Sequence, residues 1–231
     1  MSGDPSNEPD PGRAAGDEVV GEPRWPMAGA LLVDVVLFLL LPSTMRAGPA
    51  WLIPTAELAL LVALIVKDPG RIDRRSAGLR RLSLSLVTVL VFESLWATAA
   101  LVRALIHGTD PAVNSAGSLL AAGAVVWVSN IIAFSFLYWD MDGGGSAARA
   151  HAMPRYPDLA FPELLNPHVA PPGWRPRFVD YLYLGFTNAT AFSPTDVMPL
   201  APWAKIAMAL QSLISLTILG LVIARAVNVF T

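Results

Sequence analysis

The chain is built from long apolar runs separated by short polar breaks. Met27–Leu41 and Ala50–Val66 lie near the short limit for crossing a bilayer, and a Pro-flanked turn around Arg46 and Pro49 parts them. Leu82–Ile106 and Ser115–Leu137 are longer. After a wide interval comes Phe178–Ser193, about 16 residues, or roughly 24 Å as a helix against a hydrocarbon core of roughly 30 Å. Ser193-Pro194-Thr195-Asp196 breaks that run, because Pro194 removes a backbone donor and disfavours helical geometry at Ser193. Pro199 and Pro202 suit the start of a new helix, and Pro202–Val229, about 28 residues or roughly 42 Å, can cross a membrane tilted.

The pattern predicts an all-α polytopic membrane protein with six hydrophobic helices, the fifth short and pore-helix-like. Two arrangements of the fifth are open. If it crosses fully, there are six spans and both termini share one side. If it re-enters, there are five full spans and the termini lie on opposite sides. The full crossing is the favoured expectation. The chain divides into an N-terminal tail (1–25), a four-span bundle (26–138), a Pro/Gly-rich loop (139–177) and a helix–break–helix module (178–231).

Charge adds an orientation. Lys67, Arg71, Arg74, Arg75, Arg80 and Arg81 cluster between the second and third runs, which places that loop in the cytoplasm by the positive-inside rule. Topology marking is the first reading of the cluster and lipid-headgroup contact the second. The 139–177 loop, with Arg149, Arg155, Arg175 and Arg177, returns to the same side. Residues 1–25 are rich in Pro, Gly, Asp and Glu and lack the basic start and early apolar core of a signal peptide, so they read as a disordered cytoplasmic tail.

Composition agrees with a bilayer setting. Hydrophobic residues make up 54%, charged ones 15%, and the net charge of −2 gives no argument for nucleic acid. With no cysteine, thiol chemistry, disulfides and cysteine metal sites are excluded. His107, His151 and His168 are far apart and read as solvated. No HExxH, GxSxG or phosphate-cradling glycine motif occurs, so no enzyme activity and no cofactor are expected.

The informative residues are those that are costly in lipid. Asp34, Glu57 and Glu93 each sit inside one of three consecutive apolar runs. Intramembrane carboxylates usually face a bundle interior, a partner or a water-filled path. Either they are hydrogen-bonded glue between helices or they mark a route for a proton or ion; their recurrence favours the route. Asn130, Asn188 and Gln211 add amides in later runs. Thr187, Asn188, Thr190, Ser193, Thr195 and Asp196 form a polar series in and after the short helix, suited to lining a permeation route or to helix contact. Asp196 fits a cation-attracting mouth or a turn. Thr217, Gly220, Ala224 and Asn228 make a small-residue face for close packing, within one chain or between copies.

Asp180-x-Leu182-Tyr183, Thr190, Asp196-x-x-Pro199 and the following helix ending Ala224-Arg225 resemble the pore module of bacterial two-helix potassium channels. Over most of the chain, the hydrophobic spans, the basic second loop, Phe161-Pro162 and the run LYLGFT…D resemble the bacterial membrane-protein family called domain of unknown function 1345. These resemblances imply a protein of the bacterial inner membrane that passes a monovalent cation, as a homo-oligomer around the last helix. The competing class is a non-conducting scaffold that keeps the pore architecture. Where a potassium filter reads TVGYG, this chain has Ala191-Phe192-Ser193-Pro194-Thr195. Pro194 and bulky Phe192 do not suit rings of backbone carbonyls, so potassium selectivity does not carry over.

Overall fold

A computed structural model describes residues 21–107, 115–166, 168–190 and 196–230, with side chains to 224 in the last segment. Eight α-helices are present among them: α1 (Trp25–Leu40), α2 (Leu52–Lys67), α3 (Ala77–His107), α4 (Ala116–Met141), the short α5 (Ser146–His151) and α6 (Pro162–Leu165), α7 (Phe178–Thr190) and α8 (Pro202–Phe230). Two-residue strands make two small antiparallel pairs. β1 (Glu22–Pro23) pairs with β2 (Arg71–Ile72), and β3 (Leu159–Ala160) pairs with β4 (Met198–Pro199).

Among the described residues, three helices, α3, α4 and α8, are long and apolar enough to cross a membrane. The outward faces are apolar. Leu32, Val36 and Leu39 of α1, Phe92 and Trp96 of α3, and Ile206, Leu213 and Leu216 of α8 are all exposed. The interior meanwhile holds Asp34, Glu57, Glu93, Asn130, Gln211 and Ser215. Apolar residues outside and polar residues inside suit a bundle surrounded by lipid.

Helix α4 is the centre of the bundle and packs against α1, α3, α7 and α8. Its two ends are marked by different neighbours. At the Met141 end, Arg80 of α3 reaches the Asp140 carboxylate at 2.7 Å, and Arg24 just before α1 reaches Asp68 just after α2 at 2.6 Å. Thus α1 and α3 begin at this end and α2 and α4 finish there.

The last two helices both begin at the Met141 end of the bundle. Helix α7 starts at the Met141 end, where Phe178 packs against Phe136 and Trp139 with ring centroids 4.8 and 5.7 Å apart. It then climbs beside α4 as far as the contact between Phe186 and Trp127. The chain next returns to the end it came from. Met198–Pro199 pair with Ala160 and Leu159, the Leu200 amide donates to the Asp158 carbonyl at 2.9 Å, and the Leu159 amide donates to Asp142 at 3.2 Å. Helix α8 sets out from there, passing Tyr138 at Gln211 and Gly123 at Val222. Helix α7 has 13 residues, about 20 Å, and residues 191–195, which follow it, lie outside the described residues.

Two glycines permit the close packing. A Cβ on Gly185 would collide with Ser135 Oγ and come 3.1 Å from the Ile131 carbonyl, so α7 can only lie this near α4 with hydrogen at that position. A Cβ on Gly123 would come 2.7 Å from Val222, the equivalent approach between α4 and α8.

Candidate functional site

Asp34, Glu57 and Glu93, on three different helices, converge. One carboxylate oxygen of each lies within 4.8 Å of the others. Their positions along the helices agree: Asp34 is about nine residues, or roughly 14 Å, from the start of α1, and Glu57 is about ten residues, or roughly 15 Å, from the end of α2. Both helices meet at the Arg24–Asp68 end, so the carboxylates share one level of the bundle. Solvent is excluded, with exposures of 1% for Asp34, 0% for Glu57 and 3% for Glu93.

The convergence follows from which face each helix buries. In α1 the buried set is Met27, Leu31, Asp34, Val35 and Phe38, a three-to-four spacing that carries Asp34 inward with the core residues. In α2 Glu57 belongs with Ile53, Pro54, Leu61 and Leu64, and in α3 Glu93 with Leu86, Leu90, Ala97 and Leu101. The Ser129 hydroxyl of α4 donates to the Asp34 carboxylate.

Chemically the site is under-satisfied. Asp34 Oδ1 and Glu93 Oε2 are buried without a hydrogen-bond partner among the described residues, while the Glu57 and Glu93 carboxyls lie in hydrogen-bonding contact with each other. No ion pair to any of the three occurs there either. Three carboxylates this close and out of water require positive charge, since like charges repel strongly in a low dielectric. Protons and a bound cation are the two sources. A hard cation holds oxygen ligands at about 2.1–2.5 Å, so ligand oxygens up to roughly 5 Å apart fit around one ion. Carboxylate and hydroxyl oxygens are the donors such ions prefer. Nearby in sequence, Ser94 Oγ and both amide atoms of Asn130 are also buried and unpartnered.

The residues of the filter-like series are used differently. Asn188 donates through Nδ2 to Gln211 Oε1 at 2.7 Å and to the Met208 carbonyl at 3.0 Å, and its Oδ1 accepts from Ser212 Oγ at 3.1 Å. Gln211 also accepts from the Tyr138 hydroxyl at 2.7 Å and donates to the Gly185 carbonyl at 2.9 Å. This closed network ties α4, α7 and α8. Thr187 and Thr190 donate to carbonyls of their own helix, at 3.0 Å to Tyr183 and 2.8 Å to Thr187. Asp196 is exposed, two residues before β4, at the end where α7 and α8 both begin. Ser193 and Thr195 lie outside the described residues. The histidines stand apart from the carboxylates: His107 contacts the Arg103 carbonyl and His151 the Asp73 carbonyl.

A second polar group, at the base of α7, was not legible in the sequence. Glu22 accepts from the Trp139 indole at 2.9 Å and from the Phe178 amide, pinning the start of α7 to α4. Burial raises its pKa, opposed by the Phe178 and Trp139 donors and the Arg149 charge and reinforced by Asp180. Asp142 accepts from the Tyr181 hydroxyl, while the Arg149 guanidinium lies 4.9 Å from the Tyr181 ring centre. The signal was present as acidic residues beside aromatic ones in Trp139-Asp140-Met141-Asp142, but their partners come from segments far off in the chain.

No family model matches the chain, and no curated protein or solved structure is significantly similar to it.

Proposed function

We propose that the chain is a multi-pass protein of the bacterial cytoplasmic membrane that takes up a hard cation at Asp34, Glu57 and Glu93 in exchange for protons, and lets it cross. The observation that carries the reading is the convergence of three buried carboxylates from three helices with oxygens left unpartnered. In this account α1, α2, α3, α4 and α8 span the membrane and α7 is re-entrant. A half-length helix followed by a return and a long helix is also what the likeness to potassium-channel pore modules implies. The donor set carries up to three negative charges, which favours a divalent ion or protons over the monovalent ion that likeness suggests. The cation therefore travels by the carboxylates, with Asp196 serving at most as a mouth charge. Gly220 on α8 faces open space, and a homo-oligomer through that face belongs to the proposal.

Flux into liposomes tests it. Purified protein should admit Mn2+ or Ca2+ under an outward proton gradient, and Asp34→Asn/Glu57→Gln/Glu93→Gln should abolish the uptake while the protein still folds. Uptake by the triple variant equal to that of the native chain would refute the route.

A non-conducting scaffold is the second reading. The closed Tyr138–Gln211–Asn188–Ser212 network favours it, because those amides act as glue between helices. Under that reading the carboxylates are protonated and structural, and native protein shows no flux.

A further inference from the structure

At the Met141 end of the bundle, away from the carboxylates, lies a half-open cavity of about 380 Å³. That volume falls within the roughly 300–1,000 Å³ of small-ligand sites. Its polar wall holds four arginines, Arg24, Arg74, Arg75 and Arg80, against two aspartates, Asp68 and Asp140. The aspartates are taken: Arg24 pairs with Asp68 and Arg80 with Asp140. Arg74 makes only a long 3.4 Å contact to the Lys67 carbonyl, and Arg75 has no hydrogen bond or ion pair among the described residues. Positive charge is thus left in excess. Arg24, which lines the cavity, is only 8% exposed, and its Nε is buried without a partner among the described residues. The remaining wall is apolar, from Met27, Leu64, Ile72 and Leu79.

Gly145 helps to hold this shape. Its φ of +98° suits glycine, and a Cβ there would come 2.7 Å from Arg80 Nη1, pushing that guanidinium off Asp140.

We infer that this cavity binds the phosphate of an anionic amphiphile, the phosphate on Arg74 and Arg75 and the stem against Met27, Leu64 and Leu79. Guanidinium forks match phosphate oxygens two at a time, and a site at the membrane surface end of the helices suits a phospholipid headgroup. A soluble organophosphate offers the same anion without the acyl chains. A merely basic loop would attract anionic lipid diffusely, with each arginine contributing alike and salt removing the effect.

The test uses the full chain in a neutral detergent, with thermal stability read as lipid is added. Phosphatidylglycerol should stabilise it and phosphatidylcholine should not. Arg74→Gln/Arg75→Gln should weaken the apparent affinity about tenfold or more, the loss expected for charge-assisted bonds. Arg71→Gln and Arg81→Gln are exposed basic controls that do not line the cavity and should stay within about twofold of the native chain. If glycerol 1-phosphate competes with the lipid and shows the same arginine dependence, the site also accepts the soluble source. Equal losses in the control variants, or no preference for phosphatidylglycerol over phosphatidylcholine, would overturn the assignment.

Discussion

Glu57 of α2 and Glu93 of α3 bring carboxylate oxygens within 4.8 Å of one another, and each residue is almost wholly shielded from solvent. Two adjacent acids in a bundle interior are unfavourable unless something positive sits with them. Asp34 joins them from α1, so three helices contribute to one cluster.

The variants Glu93→Gln and Glu93→Leu separate the possible occupants. In cation-free detergent Gln should match or exceed native thermal stability, because it removes a like charge and can still hydrogen-bond. Leu should cost about 1–3 kcal/mol if a neighbouring polar group loses its partner. Saturating Mn2+ should raise the native stability by about 2.7 kcal/mol at a hundredfold excess over Kd, and leave Glu93→Gln with a smaller rise. Equal responses in all three proteins would remove Glu93 from the site.

The returning path of α7 predicts a labelling pattern. The chain has no native cysteine, so single cysteines can be read without background. Ser76→Cys and Asp196→Cys should react with an impermeant thiol reagent from the same side, because both positions lie at the Met141 end. Ser115→Cys, at the other end of α4, should react from the opposite side. Labelling of Asp196→Cys together with Ser115→Cys would restore the full crossing by α7.

Gly185 and Gly220 should respond oppositely to alanine. Gly185→Ala places a methyl against Ser135 and the Ile131 carbonyl, and should cost about 1–3 kcal/mol by thermal unfolding. Gly220→Ala meets nothing within 4 Å and should be neutral or stabilise α8 by up to about 1 kcal/mol. A destabilised Gly220→Ala chain that also lost its oligomer would show that the open face is used between copies.

The helices themselves were legible. Their apolar runs predict boundaries within a few residues of α1–α4, α7 and α8, because length and hydropathy dominate helix formation in lipid. The three carboxylates stood out as costly residues, but their meeting depended on how each helix is rotated about its axis, which periodicity resolves weakly when nearly every neighbour is apolar. The polar face of α7 suited either a route or helix contact, and Asn188 spends its donors and acceptor on α8. Sequence spacing cannot distinguish an amide facing water from one facing another amide. The direction taken after α7 turned on a two-residue strand pairing, Leu159–Ala160 with Met198–Pro199, too short to leave a pattern.

Glu22 gives a pH dependence with a definite sign. Burial raises its folded-state pKa above the ordinary 4.5, so the fold holds the proton more tightly than the unfolded chain does. The stability this contributes is full below pH 4.5 and is lost as pH rises through the folded value. Glu22→Gln should therefore show a flatter stability profile on going from acid to neutral pH. It should also loosen the start of α7, because one acceptor for Trp139 and Phe178 becomes a donor. An unchanged slope would mean that Glu22 does not titrate in that window.

The most direct measurement is proton release during cation binding. Native protein in weakly buffered detergent solution is titrated with Mn2+ while free Mn2+ and pH are followed together. Because a divalent ion entering three clustered carboxylates must displace protons held there, acid should appear in step with saturable binding. The Asp34→Asn/Glu57→Gln/Glu93→Gln variant should neither bind nor release. Saturable binding with the same proton release in that variant, or no binding by native protein at any pH at which it remains folded, would contradict the account.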